Sequence, residues 1–245
     1  MTYCVGILLR AGLIFAADSR TNAGVDYVTT VRKLTTFEVP GERFIALMSA
    51  GNLATTQAVV SMVSERLEEG TEETSLFKTK TLFGAARIVG QALREVIATD
   101  GEAVRGEGAD PHASFIVGGQ MQGRPHRLFQ VYHAGNFIEA THETPFLQIG
   151  ETKYGKPILD RVVDPDMALV HAAKAALISF DSTMRSNISV GLPIDLIAYR
   201  RDGLQSGPYM SVEVGDRYFR TLRRRYGEGL MRLFERLPDP EIDGV

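Results

Sequence analysis

Two short apolar segments at the start of the chain, separated by a three-residue turn, constrain the fold more than any other feature. Residues 2–9 and 13–17 are almost entirely apolar, and Arg10-Ala11-Gly12 between them is typical of a turn. This pattern predicts a β-hairpin. Because both faces of each strand are apolar, we expect the hairpin to be covered on both sides, as in the middle of a layered fold.

The rest of the chain predicts strands and helices in blocks rather than in regular alternation. This order favours an α+β protein, a four-layer αββα sandwich with antiparallel sheets between helix layers, over a doubly wound parallel fold. Further strands are predicted over residues 29–39, 44–49, 113–118, 127–132, 146–149, 194–200 and 209–214. Helices are predicted from Asn52 or Thr55 to Gly70, over 79–99 and over 165–180, and a loop over 100–111.

Composition excludes several classes of protein. The 245 residues carry a net charge of −3, which gives no overall attraction to nucleic acid or to an acidic membrane. Cys4 is the single cysteine, so a disulfide scaffold is excluded and a reducing compartment fits. The first residues lack the basic start of a signal peptide, and no apolar run approaches the roughly 18 residues of a membrane span. We therefore expect a cytoplasmic protein with no membrane or nucleic-acid partner.

The last thirty residues differ from the rest, so we divide the chain into a main domain, residues 1–215, and an extension, residues 216–245. The segment from Asp216 to Leu237 contains seven arginines and three acidic residues, an excess of four positive charges. Apolar residues at helical spacing predict an amphipathic helix, broken near Gly227 and Gly229. The remaining chain is correspondingly acidic. We expect the extension to pack on a neighbouring copy, with nucleic-acid binding as the alternative.

The sequence lacks the common signatures of nucleophilic, metal and nucleotide chemistry. It contains no G-x-S-x-G, no H-E-x-x-H and no Gly-rich phosphate loop. The five histidines show no pair at metal-ligand spacing on a predicted helix, so we expect neither a metal nor a cofactor. Cys4 lies within an apolar strand, where a buried, inert thiol is the better interpretation than a nucleophile.

The second residue offers a different nucleophile. Removal of Met1 is favoured when a small residue follows it, and Thr2 would then carry a free α-amino group beside its hydroxyl. An α-amino group has a pKa of about 7.7–8.0, so part of it is neutral near pH 7 and can accept the hydroxyl proton. This arrangement activates a threonine without a histidine.

Charged residues at the end of the second hairpin strand strengthen this hypothesis. The return strand brings Asp18 and Arg20 beside Thr2, and Lys33 follows within reach. An Asp–Lys pair lowers the cost of an alkoxide on Thr2, although a purely structural salt bridge fits the residues equally well. At Gly51, where a strand ends before a helix, backbone N–H groups can bind an oxyanion, or the glycine simply relieves crowding.

Taken together, Thr2, Ala17-Asp18-Ser19-Arg20, Lys33 and Ser49-Ala50-Gly51 resemble the proteasome β-type peptidases, a family of N-terminal nucleophile (Ntn) hydrolases. The resemblance covers residues 2–215 and is greatest to the bacterial Anbu branch, which is related to the HslV peptidase. It implies an Ntn-hydrolase fold, a threonine endopeptidase acting on peptides or unfolded proteins, and a homo-oligomer, either ring or spiral. An ATPase partner cannot be named from these residues.

The resemblance also implies individual roles. Thr2 would be the nucleophile, with its own amine as base, and Asp18 and Lys33 would complete the triad. Gly51 would donate its N–H to the oxyanion and Arg20 would support Asp18. The remaining implied roles fall on Thr21, which would hold the substrate backbone, and on Ser189, which matches a serine of the family.

Two segments depart from the family pattern. In Arg185-Ser186-Asn187-Ile188-Ser189-Val190, Ser186 replaces an aspartate and Val190 a glycine, and Glu151 stands where the family has a serine. Glu151 would supply a new hydrogen bond near the substrate or the Thr2 amine. These departures leave open two alternatives to the endopeptidase: a scaffold subunit with little turnover, and an Ntn amidase acting on a small amide.

Overall fold

A computed structural model describes residues 1–22 and 28–241, with side chains between Thr21 and Thr29 left out of the description. Two five-stranded antiparallel sheets face each other between helices. The helices are α1 Leu53–Glu69, α2 Leu82–Gly106, α3 Lys156–Val162, α4 Leu169–Ser186 and α5 Arg217–Phe234. The strands are β1 Tyr3–Leu9, β2 Gly12–Asp18, β3 Arg20–Asn22, β4 Val28–Thr30, β5 Leu34–Val39, β6 Arg43–Gly51, β7 Ala113–Met121, β8 Arg127–Val131, β9 Phe137–Glu139, β10 Phe146–Gly150, β11 Ile194–Arg200 and β12 Tyr209–Val212.

The hairpin lies at the centre of the sandwich, as its two apolar faces predict. The first sheet has the order β10-β1-β2-β11-β12 and the second β5-β6-β7-β8-β9. All residues of β1 and β2 are buried. Side chains on one face of β1, such as Tyr3 and Val5, pack towards α4, and Cys4 on the other face packs between the sheets. The α+β four-layer prediction is therefore confirmed.

The helices α1 and α2 cover the outer face of the second sheet and share an apolar core with β6, β7 and β8. Asn52 caps α1 by accepting the Thr55 N–H at 3.2 Å, and Thr81 caps α2 by accepting the Gly84 N–H at 2.9 Å. The cap fixes where α1 begins, immediately after the end of β6. Among the described residues, no helix is long and apolar enough to cross a membrane.

Several predicted boundaries are wrong, for physical reasons. The predicted loop over 100–111 is helical as far as Gly106, because Gly101 is buried in α2 and tertiary packing outweighs its low helix propensity. The predicted helix over 165–180 instead spans Leu169–Ser186, preceded by the short α3. The predicted strand over 29–39 is two strands, β4 and β5, separated around Lys33, and β9 has too short a pattern to be recognised.

The predicted extension begins with a continuous helix. Asp216 caps α5 by accepting the Phe219 N–H at 2.7 Å, and α5 continues through Gly227 and Gly229 without the predicted break. Phe219 is buried in the core formed with α4, and Leu222 packs against that core. The final residues, 242–245, lie outside the described part of the chain.

Candidate active site

The backbone of Thr2 is fixed at the edge between β1 and β10. The Thr2 carbonyl accepts the Glu151 N–H at 2.7 Å. Gly150 has a φ of +81°, and a Cβ atom there would lie 2.0 Å from the Thr2 carbonyl oxygen. Only glycine fits this close approach, so Gly150 allows the end of β10 to hold Thr2 in place. Met1, which precedes it, is mostly exposed.

Asp18 lies directly behind Thr2, at the end of β2, and is fully buried. Its Oδ1 accepts a hydrogen bond from the Tyr3 N–H at 3.0 Å and another from Lys33 Nζ at 2.9 Å. Burial raises the pKa of the Asp18 carboxyl, and the Lys33 ammonium and the Tyr3 N–H oppose this shift. The two bonds orient the carboxylate towards the lysine rather than towards solvent.

Lys33 reaches this carboxylate from the segment between two strands. It follows β4 and precedes β5, and its Nζ also donates to the carbonyl of Arg20. An ammonium has three N–H groups, so these two bonds leave a third. Lys33 is only 7% exposed and borders the same cavity as Thr2. The predicted Asp–Lys pair is therefore present beside the predicted nucleophile.

A cavity of about 640 Å³ opens in front of these residues. Thr2, Lys33, Gly51 and Gly150 border it, together with the first two turns of α1. Gly51 has a φ of +121°, and a Cβ atom there would lie 2.3 Å from the carbonyl oxygen of His112. The glycine is required by this geometry, and it places the strand end at the cavity wall where the oxyanion donor is expected.

Arg20 supports the loop that follows α4. Its Nη1 donates to the Ile188 carbonyl at 3.0 Å, and its side chain packs closely on Gly191. Arg20 also borders the cavity. The backbone of Thr21 pairs with Thr29 in the β3–β4 ribbon, but the Thr21 side chain lies outside the described residues. Its predicted contact with substrate stays a prediction.

Known structures resemble the whole chain, although no family model and no curated protein matches it. The helical assembly of the Anbu complex from Pseudomonas aeruginosa is 47% identical, with a TM-score of 0.93 over 99% of this chain and 100% of that one. The chain belongs to the Anbu family. Anbu (ancestral beta-subunit) from Yersinia bercovieri is 46% identical, with 98% and 99% covered and a TM-score of 0.91. The Gly-1 mutant of Anbu from Hyphomicrobium sp. strain MC1 is 49% identical, with 99% and 100% covered and a TM-score of 0.92.

In this Anbu chain, Glu151, which departs from the wider proteasome pattern, and Ser189, which matches it, belong to one partly buried network. Glu151 accepts the Lys153 N–H at 3.1 Å through Oε1 and the Asn187 Nδ2–H at 3.0 Å through Oε2. Asn187 Oδ1 in turn accepts the Ser189 N–H at 3.0 Å. Glu151 and Ser189 do not border the cavity. Their predicted contacts with substrate and with the reacting atoms remain predictions.

The sequence reasoning missed Asn187 and the role of Gly150. Asn187 follows the end of α4, and its partner Glu151 is 36 positions away in the chain, so no local pattern connects them. Gly150 precedes Glu151, and its residue type alone does not indicate the close approach to Thr2. A glycine at the end of a predicted strand often has a positive φ, and this local property is the one that points to Gly150.

Cys4 fits its predicted inert role in the Anbu core. It is fully buried, its Sγ lies 3.6 Å from the Ser49 carbonyl, and burial raises the pKa of the thiol. A raised pKa disfavours the thiolate that nucleophilic chemistry requires. Among residues 1–22 and 28–241, there is no cluster of three or more His, Cys, Asp or Glu side chains that could hold a metal ion.

Proposed function

We propose that this Anbu chain is a threonine endopeptidase subunit that hydrolyses peptide bonds with Thr2 in a homo-oligomer. The observation that supports it is the buried Asp18–Lys33 pair, with Nζ and Oδ1 2.9 Å apart, at the base of the cavity that Thr2 borders. A purely structural ion pair would not need a cavity in front of its cation. Gly51 and Gly150 border the same cavity, and because they lack side chains they leave room for an extended substrate.

In the proposed reaction, the neutral α-amine of mature Thr2 accepts the hydroxyl proton as Oγ forms a bond to the substrate carbonyl carbon. The Gly51 N–H stabilises the oxyanion, and the Lys33 ammonium lowers the cost of negative charge on Oγ. The C–N bond then breaks, and the leaving amine takes the proton from the Thr2 ammonium. Water attacks the ester, giving a carboxylic acid and restoring the hydroxyl.

The decisive experiment is covalent labelling of the whole protein with a hydroxyl-reactive peptide epoxyketone. Intact mass and peptide mapping should show one adduct per chain, on Thr2. Cleavage of a mixture of unstructured peptides should be blocked by the same reagent. Labelling elsewhere, or cleavage that survives complete labelling, contradicts the proposal.

A scaffold subunit with little turnover is the second candidate. Two replacements favour it: Glu151 for a serine and Ser186 for an aspartate. Both alter polar groups that the wider family places near the nucleophile. The Pseudomonas aeruginosa relative forms a helical assembly, which a scaffold role also requires. Assembly without any Thr2 adduct would favour this candidate, and labelling with hydrolysis of small amides alone would favour an amidase.

We predict that Met1 is absent from the functional protein. Met1 is exposed and borders the cavity. While it is present, the Thr2 nitrogen is part of the peptide bond to Met1, and an amide nitrogen cannot act as a base. Intact-mass analysis of purified protein should show a chain that lacks one methionine. A Thr2→Val variant, which retains a small second residue without the hydroxyl, is a matched control for processing. Retained Met1 in a protein that still forms the Thr2 adduct would overturn this mechanism.

Lys33→Met is expected to lower the rate of Thr2 labelling by roughly 10³-fold or more, because the alkoxide loses its cation in a largely buried site. The variant also leaves Asp18 buried without its partner, at a cost of about 3–5 kcal/mol in the free energy of unfolding. The double variant Asp18→Asn/Lys33→Met removes both charges and separates the two effects. Lys80→Met, at an exposed pair with Glu72, is the control.

If the double variant regains thermal stability but not labelling, the pair acts in the chemistry. Recovery of both would mean that the pair is only structural. Wild-type labelling by folded Lys33→Met would exclude Lys33 from the mechanism.

A further inference from the structure

The cavity in front of Thr2 has charge of one sign. Arg20, Arg32 and Lys33 border it, and among the lining residues that the structure describes there is no Asp or Glu. The Lys33 charge is balanced by Asp18, at 2.9 Å. The two arginines therefore decide the net charge that a substrate side chain meets.

Both arginines are held by neutral groups. Arg20 donates to the Ile188 carbonyl at 3.0 Å, and the Arg32 guanidinium lies 5.8 Å from the centre of the Tyr209 ring. Within the described part of the chain, neither forms an ion pair with a carboxylate. The nearby Asp195 is buried, and its oxygens accept from Ser19 and Tyr209. The arginine charges are thus available to a ligand.

The rest of the wall suits an anion as well. Thr35, Ser49, Gln57 and Ser61 contribute hydroxyl and amide groups that can donate hydrogen bonds. The helix α1 begins at Leu53 on the same wall, so its partial positive charge adds to that of the arginines. A cationic substrate side chain would find positive groups and no carboxylate among these residues.

We propose that the cavity selects peptides with a carboxylate side chain on the acyl side of the scissile bond. This inference rests on the proposed peptidase function and specifies its substrate class as acidic peptides. The selected side chain is the one next to the carbonyl that Thr2 attacks, because the cavity opens directly in front of Thr2. Arg32, at the exposed rim, supplies attraction without taking part in the reaction at Thr2.

The test uses two peptide epoxyketones that are identical except for Glu or Gln beside the reactive group. These side chains have nearly the same shape and differ in charge, so the comparison isolates the electrostatic contribution. The second-order rate of Thr2 adduct formation is followed by intact mass. We expect the Glu reagent to react about tenfold faster at low salt, with a smaller ratio at high ionic strength.

Arg32→Gln should bring the Glu/Gln rate ratio close to one, and Arg32→Glu should invert it. Arg32 is exposed, so neither substitution disturbs the core. Arg10→Gln is the matched control: Arg10 is an exposed arginine outside the cavity, paired with Asp166 at 2.6 Å, and its loss should leave the ratio unchanged.

The outcomes separate this inference from the proposed function. Labelling of Thr2 by both reagents at equal rates, or faster labelling by the Gln reagent, overturns the acidic preference and leaves the peptidase intact. An unchanged ratio in Arg32→Gln also overturns it, because the rim arginine would then not be the source. Failure of both reagents to label Thr2 contradicts the proposed function and this inference together.

Discussion

Replacing Thr2 by alanine is expected to abolish epoxyketone labelling and to lower peptide hydrolysis by roughly 10⁴- to 10⁶-fold. The proposed mechanism contains one nucleophile, and alanine retains the α-amine and the small second residue that favours Met1 removal. The Thr2 backbone stays bonded to Glu151 through its carbonyl, at 2.7 Å, since this bond does not involve the side chain. Fold and assembly should therefore be unchanged.

Two controls make the Thr2 result specific. Thr2→Ser retains a hydroxyl and should keep measurable labelling, whereas Thr35→Ala removes a different hydroxyl from the same cavity and should keep nearly full labelling. Thermal unfolding and solution mass should match the unsubstituted protein in all three variants. Wild-type hydrolysis by Thr2→Ala would refute the N-terminal mechanism.

The predictable parts of the site lie on contiguous strands. The hairpin brings the end of β2 back beside the start of β1, with Cys4 opposite Ala17, so Asp18 must lie near Thr2. This follows from apolar patterning and a turn, which are local properties of the sequence. Lys33 is 15 positions from Asp18, so one short connection after the hairpin can bring it to the same place.

The unpredictable parts depend on contacts between distant segments. The link from Glu151 to Asn187 joins the end of one strand to the end of α4, and the Arg20 contact with Ile188 joins segments 168 positions apart. No periodicity encodes such pairs. The break between β4 and β5 is likewise not visible in the sequence, because the residues around Lys33 have strand character.

The apolar residues of the extension recur at one helical spacing, but they lie in two different environments in the structure. We expected its whole apolar stripe to face a neighbouring copy, yet Phe219 and Leu222 pack on their own chain. Arg223 donates to Asp181 of α4, which is almost fully buried. The first half of α5 is therefore part of this chain's own fold, and only the second half remains available to a partner.

The second half of α5 exposes a continuous apolar surface. Phe234 is 71% exposed, and its neighbours on this surface are Leu230, Met231, Leu233 and Leu237. A surface of this kind on a helix usually marks an interaction site. A flat apolar face suits a protein partner better than it suits the phosphates of a nucleic acid.

Truncation after Tyr226 and truncation after Gly215 should therefore differ. Removal of residues 227–245 is expected to reduce the solution mass to a smaller species while leaving the thermal stability of the subunit nearly unchanged. Removal of residues 216–245 should also lower the stability by about 2–4 kcal/mol, because the burial of Phe219 is lost and Asp181 loses its bond to Arg223. Mass measured by light scattering, together with thermal unfolding, separates the two effects.

A point variant tests the same interface without truncation. Phe234→Asp places a charge in the centre of the exposed surface and should weaken assembly as truncation after Tyr226 does, whereas Arg236→Gln at its edge should have little effect. Unchanged mass in Phe234→Asp and in both truncations would exclude this surface from assembly. Salt-sensitive RNA binding by the full chain, lost with residues 216–245, which hold all seven arginines of the extension, would instead favour the nucleic-acid alternative, since arginine–phosphate contacts weaken steeply with ionic strength.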